Sequence, residues 1–296
     1  MSLSAAFVSV ILIWSTTPLA IKWSALEAGF SFAVFSRMVI GTLLCAALLV
    51  TLRVRFPLHR RARLAYLVSG TSMFGAMGLS YWSAQFISSG MISVLFGLSP
   101  LITSLGAMLW LKEEALTANK LAGIAFGVLG LFTVFYGNLQ LGSEAVLGLA
   151  ALLLAVVVQS LGLVWLKRIG DDSPPLATTL GSLLVGLPLF FAEWMLTAGG
   201  VVPAALSGRA SAAIVYLGIV GSVLGFVLYY YLIKYMEAGR IALITLVTPV
   251  LALLLGSYLN GEVVLPQVWA GTASILFGLA LHRWGTRWMG GSGSRL

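Results

Sequence analysis

Two stretches of this 296-residue chain decide its fold: GMISVLFGLSPLITSLGAMLWLKEEALTANKLAGIAFGVLG, from Gly90 to Gly130, and GRIALITLVTPVLALLLGSYLNGEVVLPQVWAGTASILFG, from Gly239 to Gly278. Gly90, Pro100 and Glu113 of the first recur as Gly239, Pro249 and Glu262 of the second, each 149 residues on. Gly123 and Gly130 recur as Gly271 and Gly278 at an offset of 148. Each proline lies in an apolar run of about 20 residues, enough for a helix to cross roughly 30 Å of hydrocarbon at about 1.5 Å per residue. A Gly–Pro–Glu series kept in register across two such runs is the mark of a duplicated unit.

The likeness extends outward. Gly75 and Tyr81 match Gly225 and Tyr231 at 150 residues, Gly137 matches Gly285 at 148, and Lys22 matches Lys167 at 145. Ten apolar spans can be marked: Leu3–Trp23, Gly29–Leu52, Leu64–Gln85, Ser88–Leu111, Lys120–Tyr136, Ala145–Leu166, Leu176–Thr197, Ala210–Tyr235, Ile241–Leu259 and Val268–Trp288. Apolar residues make up 60% of the chain and charged residues only 9%, against roughly 25% in an ordinary soluble domain. The mean hydropathy of +1.04 agrees. A soluble globular protein is excluded, and lipid leaves a helical bundle as the architecture that pairs every backbone polar group. The expected fold is an all-α membrane protein of ten transmembrane helices, arranged as two five-helix repeats around a central cavity. The repeats cover residues 1–138 and 139–289, and 290–296 form a flexible Gly/Ser tail. Five spans per repeat is an odd number, so the second repeat enters the membrane from the opposite side. Inverted repeats of this kind are common in secondary transporters, with substrate near midplane between the halves.

The formal net charge of +8 would suggest nucleic acid in a soluble protein. Here its distribution reads as topology, and no nucleic-acid partner is expected. Arg53, Arg55, Arg60, Arg61, Arg63, Lys112, Lys120, Lys167, Arg168, Lys234, Arg240, Arg283, Arg287 and Arg295 fall on one side of the ten spans. Lys22 and Arg209 fall on the other, while Arg37 lies within a span. That asymmetry places both termini in the cytoplasm. The first span lacks a basic n-region and is followed by Lys22 rather than a small-residue cleavage site, so it does not read as a signal peptide. Cys45 is the sole cysteine, which leaves neither a disulfide nor a thiolate metal site, and no cofactor is implied.

The segments from Gly90 through Pro100 and Lys112-Glu113-Glu114 to Gly130, and from Gly239 through Pro249 and Gly261-Glu262 to Gly278, resemble the closing signature of each EamA repeat. Ile13-Trp14-Ser15 with Ile21-Lys22-Trp23 resembles the opening of the first repeat. Over essentially its whole length the chain is similar to the ten-helix branch of the drug/metabolite transporter superfamily, and within it most like the aromatic-amino-acid exporters. The resemblance implies a multi-pass carrier of the bacterial cytoplasmic membrane that exports amino acids or related metabolites. The second repeat departs from the opening pattern, with Gln159 where Trp14 would align and Ser182 near the place of Arg37.

Counting inward from the span ends places Trp14, Met73, Phe74, Met77, Ser99, Pro100, Gln159, Ser222, Thr248 and Pro249 near midplane. Pro100 and Pro249 each free a backbone carbonyl four residues earlier, which can coordinate an ammonium group or serve as a hinge. A packing kink satisfied by a neighbouring hydroxyl is the alternative. Pro18 acts likewise on the carbonyl of Trp14. Ser15 and Thr17, beside Pro18, and Gln159 at the matching depth can bind a zwitterion or hydrogen-bond between helices. Tyr81 lies on the third span and Tyr230 within the run Tyr229-Tyr230-Tyr231 of the eighth, spans that the family resemblance places around the cavity. At most one or two of those three consecutive tyrosines can face a single cleft, since a helix turns about 100° per residue. Trp23, Trp110, Trp194, Trp284 and Trp288 lie near span ends and are expected in the interfacial belt.

Arg37 lies roughly 12 Å inside the second span by helix rise. It has three readings: a pair with Glu193 at similar depth, attraction of a substrate carboxylate, or snorkelling to the outer surface. Lys22 and Lys167 end their helices and are expected to snorkel. Glu113 and Glu262 precede the fifth and tenth spans and are expected to favour those helix N-termini. None of the nine acidic residues falls at midplane, which argues against a simple proton relay and against multidrug cation antiport. No HExxH, paired carboxylates or Ser/His/Asp constellation appears, so an enzyme is not expected. A nucleotide sugar or sugar phosphate would need several basic residues at midplane, and only Arg37 comes near.

Overall fold

Short capping residues and glycines divide the chain into helices with few residues between them. The computed structural model describes residues 2–111, 117–139, 142–236 and 238–289. Backbone alone is described at 138–139, 226, 229–230, 233–234, 238–242 and 285–289. Every element among the described residues is helical: α1 Leu3–Ala28, α2 Phe30–Thr51, α3 Arg60–Ser83, α4 Ser89–Phe96, α5 Ser99–Leu111, α6 Ala118–Leu139, α7 Ser143–Ile169, α8 Pro175–Ala198, α9 Gly208–Tyr216, a π-helical segment Leu217–Leu224, α10 Gly225–Tyr235, α11 Ala238–Asn260 and α12 Pro266–Met289. The Ser2 hydroxyl caps α1, His59 Nδ1 caps α3 by accepting from Ala62 N, and the Ser207 hydroxyl caps α9. Each meets a backbone donor that the helix itself leaves unpaired. Gly29, at φ 76°, is the whole connection between α1 and α2, a conformation that favours glycine.

The α4–α5 pair and the α9–π–α10 run each form one nearly continuous rod. The segments Leu3–Ala28, Phe30–Thr51, Ser89–Leu111, Ala118–Gly137, Ser143–Ile169, Pro175–Ala198 and Leu243–Asn260 are long and apolar enough to cross a membrane. Among the described residues seven segments meet that measure, against the ten expected spans. The remaining helices fall short for visible reasons. α3 opens on Arg60, Arg61 and Arg63 and carries Ser69, Thr71, Ser72 and Ser80; α12 ends among His282, Arg283 and Arg287. The α9 rod has an apolar stretch from Gly208 to Leu224 and continues as α10 from Gly225 to Tyr235.

Two expected spans are interrupted. The span 88–111 breaks at Gly97-Leu98, where Gly97 N bonds both Ser93 O and Val94 O and the ladder resumes with Ile102 N to Leu98 O. Pro100, second residue of α5, needs no donor there. Pro249, its counterpart, stays inside a continuous α11. In the span 210–235 a π-helical stretch replaces two turns of α-helix.

Packing joins the first and second halves of the chain throughout. α1 lies against α9, the π segment, α10 and α11, while α7 lies against α3, α4 and α5. α2 and α8 pack together, as do α4 with α11 and α6 with α12. The α6–α12 contact is backbone to backbone: a Cβ on Gly123 would stand 2.6 Å from Gly278 O, and one on Gly130 would stand 2.5 Å from Gly271 O. Small residues permit such approach where no hydrophobic drive separates helix from lipid. The main core runs through Met38, Tyr81, Leu95, Leu149, Leu183 and Phe190. Gly130→Leu is therefore expected to destabilise the protein by about 1–3 kcal/mol, read as a lowered thermal midpoint in detergent. Gly208→Ala is expected to leave that midpoint in place, because a Cβ there meets nothing within 4 Å.

Candidate functional site

Gly41 on α2 and Gly218 and Gly221 on the π segment bring two backbones together beside Arg37. A Cβ on Gly218 would stand 2.6 Å from Ile40 Cγ2 and 3.3 Å from Arg37 O, so only glycine allows this approach. Arg37 is 4% exposed. Its Nε donates to Ser222 Oγ at 2.9 Å, and its Nη1 reaches the fully buried Tyr81 hydroxyl at 3.5 Å. A Cβ on Gly221 would stand 3.6 Å from Arg37 Nη2 and 3.7 Å from Thr17 Oγ1, so guanidinium and hydroxyl flank the same bare glycine. Trp14 Nε1 would be 3.5 Å from a Cβ on Gly225, one turn further along the same rod. Trp14 and Thr17 from α1, Arg37 from α2 and Tyr81 from α3 thus converge on Ser222 and its glycines.

Arg37 neither snorkels nor pairs with Glu193. Its partners are neutral hydroxyls, and among the described residues no carboxylate lies within ion-pair distance of it. An arginine buried this way carries a desolvation cost of several kcal/mol that hydroxyls only partly offset. A carboxylate docking against its fork would relieve that cost through short charge-assisted hydrogen bonds. Ser222, placed near midplane from sequence but given no role, is the residue that holds Arg37. Its signal is the Gly218-Gly221-Gly225 run around it, since π turns recur at functional sites.

The proline pair forms a second locus. A Cβ on Gly97 would meet Pro249 Cγ at 3.7 Å, and one on Gly90 would meet Leu253 Cα at 2.7 Å, so α4 crosses α11 beside the α4–α5 break. Pro249 and Thr248 are buried there, and Ser99 and Pro100 are half-buried. Ser99 Oγ has no hydrogen-bond partner, while its carbonyl accepts from Ser160 Oγ at 3.4 Å. Ser15 Oγ on α1 is likewise buried and unpartnered. Gln159 sits half-buried on α7 and Met77 half-buried on α3. Among the described residues no hydrogen bond ties Ser15, Met77, Ser99, Gln159 or Thr248 to the Arg37 cluster. The side chain of Tyr230 lies outside the described residues. Glu193 lines a separate cavity between α3 and α8.

The end of the bundle where α1 finishes is closed by a polar knot. Glu262 Oε2 accepts from Ser89 N at 2.8 Å and Ser89 Oγ at 2.9 Å, capping α4 rather than α12. Its Oε1 accepts from Asn260 Nδ2 at 2.9 Å and lies 3.9 Å from Lys22 Nζ. Lys22 does not snorkel: it donates to Ile87 O at 2.5 Å, and Trp23 Nε1 donates to Asn260 Oδ1 at 2.8 Å. Nearby, Arg209 pairs with Glu27 at 2.9 Å and lies over the Trp23 ring. Glu113, the repeat counterpart of Glu262, falls outside the described residues. Trp194 also departs from expectation: instead of joining the belt it is buried and stacked on Phe35, with centroids 5.2 Å apart. Glu262→Ala strands Lys22 and the start of α4, and is expected to lower stability by about 3 kcal/mol. Thermal unfolding of the purified protein checks this, and Ser89→Ala should cost less.

The model of the EamA-like transporter family matches residues 2–136 and again 146–284. A Salmonella typhimurium protein named a probable amino-acid metabolite efflux pump is 26% identical over 226 residues, covering 73% of this chain and 75% of that protein. A Streptantibioticus cattleyicolor protein named a probable terminal-alkyne amino-acid exporter is 28% identical over 280 residues, covering 93% of this chain and 91% of its own length. A crystal structure at 21% identity superposes with a TM-score of 0.66 over 97% of this chain and 99% of that one, a likeness of fold. With both halves matched in order and most of its length covered, the chain is a multi-pass membrane protein that belongs to the EamA-like transporter family.

Proposed function

We propose that the protein exports amino acids, aromatic ones included, by alternating access between two inverted five-helix halves, without obligatory proton coupling. The observation that carries this is Arg37: a guanidinium buried among α1, α2, α3 and the π segment, with hydroxyls for partners. The α-carboxylate of an amino acid is its counter-ion, and Tyr81 and Trp14 stand beside it for the side chain. The names of the Salmonella and Streptantibioticus relatives point to the same substrate class.

The pattern of packing supports the inverted repeat with ten spans. Exchanging the halves turns the largest contacts between them into one another: α1 against the α9 rod becomes α7 against α3, and α1 against α11 becomes α7 against α4–α5. The contacts α2–α8, α4–α11 and α6–α12 map onto themselves. Gly123 facing Gly278 becomes Gly271 facing Gly130, the other half of the same interface. In the orientation read from Lys and Arg, both termini are cytoplasmic, the membrane is the bacterial inner membrane, and the Lys22–Glu262 knot closes the outer end. Lys167 and Glu113 are the sequence equivalents of Lys22 and Glu262 in the other repeat.

Uptake into proteoliposomes tests the reading with labelled phenylalanine, threonine and a nucleotide sugar, with and without a pH gradient. Phenylalanine is expected to accumulate to equilibrium without the gradient. Arg37→Gln is expected to raise its KM about 10-fold or more, the loss of one or two charge-assisted hydrogen bonds. Movement of the nucleotide sugar alone, or an Arg37→Gln variant with unchanged KM, would overturn the reading.

A further inference from the structure

Glu193 stands on α8 about five residues from the end of that helix, inside a membrane-length apolar segment. Its Oε2 is screened from solvent and accepts no hydrogen bond. The nearest hydroxyl on its own helix, Thr197, is directed to the Glu193 carbonyl at 2.7 Å and to Ser31 Oγ at 2.9 Å. Room for the carboxylate is made by an absent side chain: a Cβ on Gly78 of α3 would lie 2.9 Å from Glu193 Oε1. The group is thus fitted into its place yet paired with nothing among the described residues. An ionised carboxylate in an apolar surround is costly, and a positive partner relieves that cost.

The space in front of it says what kind. A cavity of about 430 Å³ opens there, walled by Phe30 of α2, Phe74 and Trp82 of α3, and Ala151 of α7. Two of these rings are braced from behind. Phe74 meets Phe190 edge-on at 5.1 Å, and Trp82 leans on Phe86 at 4.8 Å. Braced aromatic faces with one carboxylate are the chemistry that holds an organic cation, by charge and by cation–π attraction. A metal ion would want several oxygen ligands, and this cavity offers a single carboxylate. Its volume falls in the range that encloses small organic ligands.

We propose that this cavity, between α2, α3, α7 and α8, binds an organic ammonium ion of aralkyl-amine size, with Glu193 as counter-ion and Phe30, Phe74 and Trp82 as its walls. It is distinct from the Arg37 cluster, which lies among α1, α2, α3 and the π segment and has the opposite charge. The two loci sort ligands by sign: a carboxylate at Arg37, an ammonium at Glu193. The proposal does not depend on amino-acid export.

Isothermal titration of the full chain in lipid nanodiscs with 2-phenylethylammonium at pH 7 tests it, with 2-phenylethanol as the neutral isostere. Saturable binding of the ammonium is expected, with 2-phenylethanol at least about 10-fold weaker, the order expected of a charge-assisted contact. Glu193→Gln should weaken the ammonium by a similar factor, and Phe74→Leu or Trp82→Leu by about 3- to 10-fold. Gly78→Ala, which crowds the carboxylate, should weaken it as well. Thermal unfolding and elution volume establish that each variant is folded. Absence of saturable binding to the wild type, equal binding of 2-phenylethanol, or a folded Glu193→Gln that binds as the wild type would each overturn the proposal.

Discussion

A guanidinium held inside an apolar bundle is the constraint around which this molecule is arranged. Arg37 has lost most of its water and has Ser222 and Tyr81 in return. To place those hydroxyls, the α9 rod gives up regular α-helix for a π turn, and Gly218 lets that rod close on α2 to a distance that a side chain would forbid. The wider turn rotates Ser222 toward α2, as single π turns often do where function needs a re-aimed side chain. Hydroxyls leave the positive charge largely uncompensated, and the proposed carboxylate site rests on that residual demand for an anion.

A carrier must also open and close, and the ends of the bundle differ from its middle. Where α1 finishes, Glu262 ties together α1, α4 and the loop after α11 through four polar partners. Near the middle, the contacts are small: Gly97 beside Pro249, a break two residues before Pro100, orphaned hydroxyls on Ser15 and Ser99. A charged closure at one end and unpartnered hydroxyls nearer the centre fit the proposed rocking of helices about a central site.

Much of this was legible in the sequence, and the limits are physical. Apolar runs, the Gly–Pro–Glu series and the lysine and arginine asymmetry announce a helical membrane protein and its duplication, because lipid allows few alternatives. That Arg37 lies inside a span was legible from its position, with burial and snorkelling both open. Its partners were not, since Ser222 lies 185 residues away and the π turn that presents it has only a glycine spacing as its sign. Lys22 and Glu262 misled in a different way. Near a span end, snorkelling and helix capping are the local expectations, but Lys22 finds a carbonyl and a carboxylate on other helices. Trp194 was misread for the same reason: a span end near the interface is also where α2 and α8 stack their rings. Single-helix reasoning cannot see a tertiary partner.

The central claim is that Arg37 exists to meet a carboxylate. Comparing the Kd values of phenylalanine and phenylalaninamide for the purified wild type and for Arg37→Gln isolates that contact, because the two ligands differ in the carboxylate alone. The account predicts that the wild type prefers the acid by about 10-fold or more, the range of charge-assisted hydrogen bonds, and that Arg37→Gln loses the preference. The same acid-over-amide ratio in both proteins would contradict it.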